Sequence, residues 1–191
     1  AAKKAGTSKI VEIGGEKVHV ASDDEAKKAE ALIKRIKDLY GVEVSSQKGV
    51  DAIKAKYTKV PAEVTGKVKT KEWEYKELVA LDKALGHFAP VLGKNRETSS
   101  RKDAEQELTS VSKLDQAIDK NSAKGQLDND TVGEYFGASK NFSAFTAGTD
   151  AADDFKSNAK QLEGTMVHEI AHGVFKYQLD AFVAKFAYWT D

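Results

Sequence analysis

Residues 164–173 read Gly164-Thr165-Met166-Val167-His168-Glu169-Ile170-Ala171-His172-Gly173. The stretch lies within a segment, about 159–177, whose apolar residues recur with the period of a helix. Leu162, Met166, Val167, Ile170, Ala171 and Val174 give that helix a broad apolar side, whereas Thr165, His168, Glu169 and His172 gather towards the other. Side chains four residues apart stack on one helix face, so both imidazoles can bind a single metal ion. Glu169 lies about 100° round the helix from His168, too far to be a ligand but able to reach a water held by the same ion. A zinc ion lowers the pKa of such a water and polarises a carbonyl, while a carboxylate takes the proton. His-Glu-x-x-His thus specifies two ligands, His168 and His172, and a general base, Glu169. The structural alternative is a pair of histidines that merely pin the helix, and the intervening Glu169 weighs against it.

Upstream, residues 9–20 read as a hairpin, KIVEI and KVHV alternating around Gly14-Gly15. Ser22 and Glu25 have capping-box spacing for a helix whose stripe is Ala26, Ala29, Ile33, Ile36 and Tyr40, with Gly41 as its stop. Residues 42–44 suggest a short strand and 50–57 a short helix. A second long helix is expected over about 71–88, carrying Trp73, Leu78, Leu81, Leu85 and Phe88. Residues 94–130 are polar, and Leu108, Val111, Leu114 and Ile118 keep a helical period inside them, which predicts a partly helical excursion. Phe142 and Phe145 flank a strand, 150–157 form a polar loop, and a last helix covers 181–189. The division expected is a small α/β portion over 1–60 and a catalytic portion over 61–191, together one domain.

The decapeptide at 164–173 resembles the active-site helix of zincin metallopeptidases. The order of a long helix, an aromatic strand and then the active helix is also zincin-like. In overall style the chain further resembles metalloprotease-like toxin domains of bacterial contractile injection systems. The resemblance implies a helix-rich α+β, zincin-like domain with a small mixed sheet, a bound Zn2+ and endopeptidase action on a protein or peptide substrate. It also implies that an edge strand, Phe142, Ser143, Ala144 and Phe145, pairs with the extended substrate. A secreted or injected bacterial protein, with a secretion or injection apparatus as partner, follows from the same likeness.

The third ligand is the open position. No His stands six residues after His172, so the metzincin form is excluded, and gluzincins use a Glu on a following helix. No Glu follows Glu169, and the downstream carboxylates are Asp180 and Asp191. Asp180 would lie about 12 Å along a continuous helix from His172 and reads better as the N-cap of the last helix. The preferred expectation is that the usual ligand lies beyond the present C-terminus and this piece is a truncated form; within the piece, Asp191 is the candidate. A non-catalytic binding or cargo domain that keeps the zincin helix as scaffold is the alternative.

Composition bounds the rest. Thirty basic and 30 acidic residues cancel, and the basic side chains are lysines apart from Arg35, Arg96 and Arg101. This gives no reason to expect nucleic acid as partner. Cysteine is absent, which excludes disulfides and thiolate ligands. No apolar run approaches the roughly 20 residues of a membrane span.

Overall fold

Gly14 and Gly15 both adopt positive φ, +59° and +86°, and close a tight hairpin of β1 (Lys9–Ile13) and β2 (Glu16–Val20). Such a turn matches the right-handed twist of the strands it joins. In this computed structural model residues 8–94, 105–122, 124–147 and 159–175 are described. The next element, α1 (Asp23–Tyr40), starts as its capping signature requires. Ser22 Oγ accepts from the Glu25 N–H at 3.1 Å, and the Glu25 carboxylate reaches back to the Ala21 N–H. Gly41, at φ +64°, ends it.

The strand β3 (Glu43–Val44) follows, then α2 (Ser46–Lys56) and a single turn, α3 (Ala62–Thr65). The long helix expected from residue 71 begins later. Trp73 belongs to β4 (Trp73–Glu74), and α4 spans Tyr75–Gly86. Glu74 and Glu77 form a reciprocal capping box that sets this start. Beyond a 3-10 turn at Ala89–Val91 come β5 (Ser110–Leu114), β6 (Ala117–Ile118), β7 (Leu127–Asp128), β8 (Gly133–Phe136) and β9 (Asn141–Phe145). The helix α5 (Ala159–Val174) carries the histidine motif. The polar loop at 150–157 and the last helix at 181–189 lie outside the described residues.

The helical excursion expected around Leu108–Ile118 is instead strand. Every residue of β5 is buried, because the strand lies between β3 and β9 in a sheet covered on both faces. That sheet has the order β3-β5-β9-β8, with β3, β5 and β9 parallel and β8 antiparallel to β9. A second sheet, β1-β2-β4, and the small β6-β7 pair complete a mixed α+β architecture. One core gathers Val18, Ile36, Leu81, Val111, Phe142 and Ile170, uniting the hairpin with α1, α4 and α5 on one face of the larger sheet. The other, with Ile53, Leu114, Phe136 and Phe145, lies under α2 on the opposite face. Residues before and after position 60 therefore share the first core, and β2–β4 and β3–β5 pair across that division.

A buried ion pair fixes α4 against the larger sheet. Lys113 Nζ, on β5, donates to both Glu77 carboxylate oxygens (3.0 and 2.7 Å) and to the Glu72 carbonyl (2.6 Å). Burial pushes the Glu77 carboxyl above its ordinary range, and Lys113 pulls against that shift.

Candidate metal centre and cleft

Leu162, Met166, Ile170 and Val174 recur every fourth residue on α5 and are buried against α4 and the larger sheet. The opposite side of the helix is left for Thr165, His168 and His172. The spacing does what a turn of helix dictates. His168 Nε2 and His172 Nε2 lie 3.1 Å apart, with ring centroids 4.7 Å apart and planes nearly perpendicular. Two imidazole nitrogens on one tetrahedral zinc lie roughly 3.3 Å apart, from Zn–N bonds of about 2.05 Å. The pair therefore fits two corners of such a site with only small adjustment; without a metal, one ring donates its N–H to the other.

Glu169 stands beside this pair, its Oε1 4.0 Å from His168 Nε2. Half-buried, its carboxyl is raised by desolvation, and the imidazoles of His168 and His172, with the Lys120 ammonium, pull it back down. Two glycines let α5 come this close to β8. A Cβ at Gly173 would stand 2.5 Å from Cε2 of Tyr135, and one at Gly133 would stand 3.1 Å from Cγ of Glu169. Tyr135 is held in place by donating its hydroxyl to the Glu107 carbonyl, and burial lifts its pKa to about 12. At the other end of α5, Glu163 meets His87 Nε2 at 3.1 Å, so His87 links α5 to the end of α4. His19 sits on β2, in the other sheet.

The expected substrate strand is corrected. Phe142, Ser143, Ala144 and Phe145 form part of β9, which pairs with β5 on one side and β8 on the other. All four are buried and no backbone edge is free, so this strand cannot accept another chain. Among the described residues β8 is the edge strand of this sheet on the motif-helix side, with no partner on its outer side. Phe145 N–H donates to the Val132 carbonyl, which makes Val132 and Phe145 a hydrogen-bonded pair. Alternation then turns Glu134 and Phe136 towards β9 and leaves the N–H and C=O of Gly133 and Tyr135 facing outwards.

A cleft of about 1050 Å3 runs along that edge, between α5 and the end of α2. His168, Glu169 and His172 line one wall, and Lys56 and Lys120 line the other side with Glu134. Lys56 Nζ donates to Glu134 Oε1 at 2.5 Å, the Tyr57 hydroxyl donates at 3.1 Å, and Lys120 Nζ lies at 3.5 Å. These three charged residues were not singled out in the sequence. The readable signal was the alternation through Gly133-Glu134-Tyr135-Phe136, which sends Glu134 to the face opposite the motif helix.

Among the described residues no group of three His, Asp or Glu side chains could hold a metal ion, and the donors that these residues bring together there are His168 and His172. Asp191, the expected third ligand, lies outside the described residues. No helix among them is long and apolar enough to cross a membrane. Compared with family models, with curated proteins and with solved structures, the chain matches none.

Proposed function

We propose that the chain is a zinc-dependent endopeptidase domain of zincin-like arrangement. The observation that carries this reading is the convergence of the His168 and His172 Nε2 atoms, 3.1 Å apart, beside Glu169 in a cleft bounded by a free strand edge. The order of α4, β9 and α5 supports it further. His168 and His172 would hold the ion, and zinc bound there supplies Lewis acidity to a peptide carbonyl and acidifies water. The outward N–H and C=O groups of Gly133 and Tyr135 bind the substrate backbone in extended form, as strand addition requires. The Glu169 carboxylate accepts a proton from the attacking water and passes it to the amine as the C–N bond breaks. Partial burial makes it a stronger base than an exposed glutamate.

The test joins metal content to cleavage. The chain purified without chelators carries about one zinc, and His168→Ala carries none. Glu169→Gln keeps the metal and loses roughly 10²–10⁴-fold in rate on a denatured-protein substrate. Absence of zinc from both this chain and a C-terminally extended form would end the reading, as would unimpaired cleavage by Glu169→Gln.

The sequence given has no Glu after Glu169, and this feature favours a second reading, a non-catalytic binding or cargo domain that keeps the helix as scaffold. In that case His168→Ala binds peptides as the parent does and zinc adds nothing to stability.

A further inference from the structure

Two ammonium groups converge on one carboxylate at the wall of the cleft that faces away from the motif helix. Glu134 is almost wholly buried (3% exposed), whereas Lys56 and Lys120 keep about half of their side-chain surface in solvent. One lysine and the Tyr57 hydroxyl already satisfy the carboxylate, so Lys120 is not needed to neutralise it. Lys120 comes from the turn between β6 and β7, and its charge acts on both Glu134 and Glu169. Lys56 and Lys120 thus bring two ammonium groups to the wall against the one carboxylate they contact, Glu134, while Asp119 and Asp128 act on the same wall from beyond ion-pair distance.

The register of the free edge decides which part of a bound chain meets that charge. In an extended segment laid on β8, the residue opposite Gly133 shares its face and lies under Glu169. The next residue, opposite Glu134, turns its side chain to the α2 face, where Lys56 and Lys120 stand. We propose that Lys56 and Lys120 form a subsite for an acidic side chain, one residue away from the position beneath Glu169, and that this makes the cleft selective for acidic peptides. The inference rests on the peptidase reading for its choice of ligand. Its chemistry, an anion against two ammonium groups, is independent of the metal.

The experiment uses C-terminally amidated dye-labelled peptide pools that differ only in Glu, Gln or Lys at one position, with the full chain. Binding is read by fluorescence anisotropy with and without zinc, and cleavage by mass spectrometry of the same pools. Exposed charge pairs give at most roughly fivefold each, so Glu peptides bind about two- to twentyfold tighter than Gln peptides and Lys peptides weakest. Lys120→Gln, whose folding is checked by circular dichroism, loses most of that preference, and Lys120→Arg restores it. A free-acid Gln peptide that binds as well as the amidated Glu peptide would assign the subsite to a terminal carboxylate and overturn the side-chain assignment. Equal binding of Glu and Gln peptides, or a preference unchanged in Lys120→Gln, overturns the subsite altogether. Cleavage without acidic preference would leave the peptidase reading standing. A Lys120-dependent preference for Glu peptides in a chain that cleaves nothing would instead leave the subsite standing without it.

Discussion

Gly133 carries no side chain where the strand edge meets Glu169, the base in the proposed reaction. A Cβ at this position would stand 2.9 Å from Cε2 of Phe142 and 3.1 Å from Cγ of Glu169, and the phenylalanine is locked in the core. The contact with Phe142 then forces the β8 backbone at this position to shift, and Glu169 has to give by a few tenths of an ångström. Displacement of a reacting group by about 1 Å costs on the order of a hundredfold in rate, so this smaller shift costs about three- to tenfold. Gly133→Ala is thus expected to lower kcat/KM by about three- to tenfold while zinc content, measured on the same sample, stays that of the parent. Full activity in this variant would show that the close approach does not set the position of Glu169. Nothing in the sequence marks Gly133 for this duty, because the contact is made across the fold by residues 36 positions apart. Lys113 was equally hidden in a polar stretch, and its burial against Glu77 gives a pH signature. A carboxyl whose folded pKa is raised contributes stability below its unfolded pKa and loses it as pH rises through the folded value. Lys113→Met removes the pull that limits the Glu77 shift and leaves a buried carboxylate unpaired, costing about 3 kcal/mol at pH of about 7. That gap narrows at pH of about 4, where Glu77 is protonated. Urea midpoints across this range check it, and a gap independent of pH would mean that lost packing rather than charge dominates.

At the scale of elements, α1 and the hairpin were legible because each carries its own start, stop and period, whereas α2 and α4 were found with misplaced starts and the single turn α3 was not found. Ser22 with Glu25 and Gly41 bracket α1 within a residue, and the alternation around Gly14-Gly15 places β1 and β2. The central strands were not. β5 is covered on both faces, so it shows no alternation of apolar and polar residues. Its Ser110 and Ser112 are buried because Asn141 Nδ2 donates to both hydroxyls at 2.8 Å, and its Lys113 because Glu77 pairs with it. What remains visible, Leu108, Val111, Leu114 and Ile118, mimics a helix by spacing alone. The β9 strand was found, but its neighbours were not, so it was mistaken for the edge. Glu16 is a further feature whose role only the assembled elements reveal. Its carboxylate, at the start of β2, accepts from Ser46 N (2.7 Å), Ser46 Oγ (2.6 Å) and Trp73 Nε1 (3.1 Å), so it caps α2 and ties that helix to the sheet of β2 and β4. Glu16→Ala takes the acceptor from three buried donors, and a loss of about 2–3 kcal/mol in urea unfolding is expected. A loss below roughly 0.5 kcal/mol would show that water replaces the carboxylate there.

For the whole molecule, the consequence of the topology is that α5 is no appendage to the fold. Its buried stripe joins a core that runs from Val18 on the hairpin to Val174, so any ligand held by His168 and His172 acts on the stability of that whole core. A ligand that binds the folded state alone stabilises it by about 2.7 kcal/mol at a free concentration one hundred times its Kd. For a chain of this length each kcal/mol moves the melting temperature by roughly 2–4 °C. Zinc at that concentration is therefore expected to raise the melting temperature by roughly 5–10 °C, with a slope that follows the logarithm of free zinc. His168 is largely exposed, at 69% of its side-chain surface, so His168→Ala leaves the metal-free melting temperature almost where it was, within about 0.5 kcal/mol. The same variant removes the zinc-dependent rise. Calorimetry of parent and variant, each with chelator and with a zinc series, separates the two contributions. A rise of equal size in both proteins would place the bound zinc elsewhere, and a large loss in chelated His168→Ala would make the histidine a structural pin rather than a ligand.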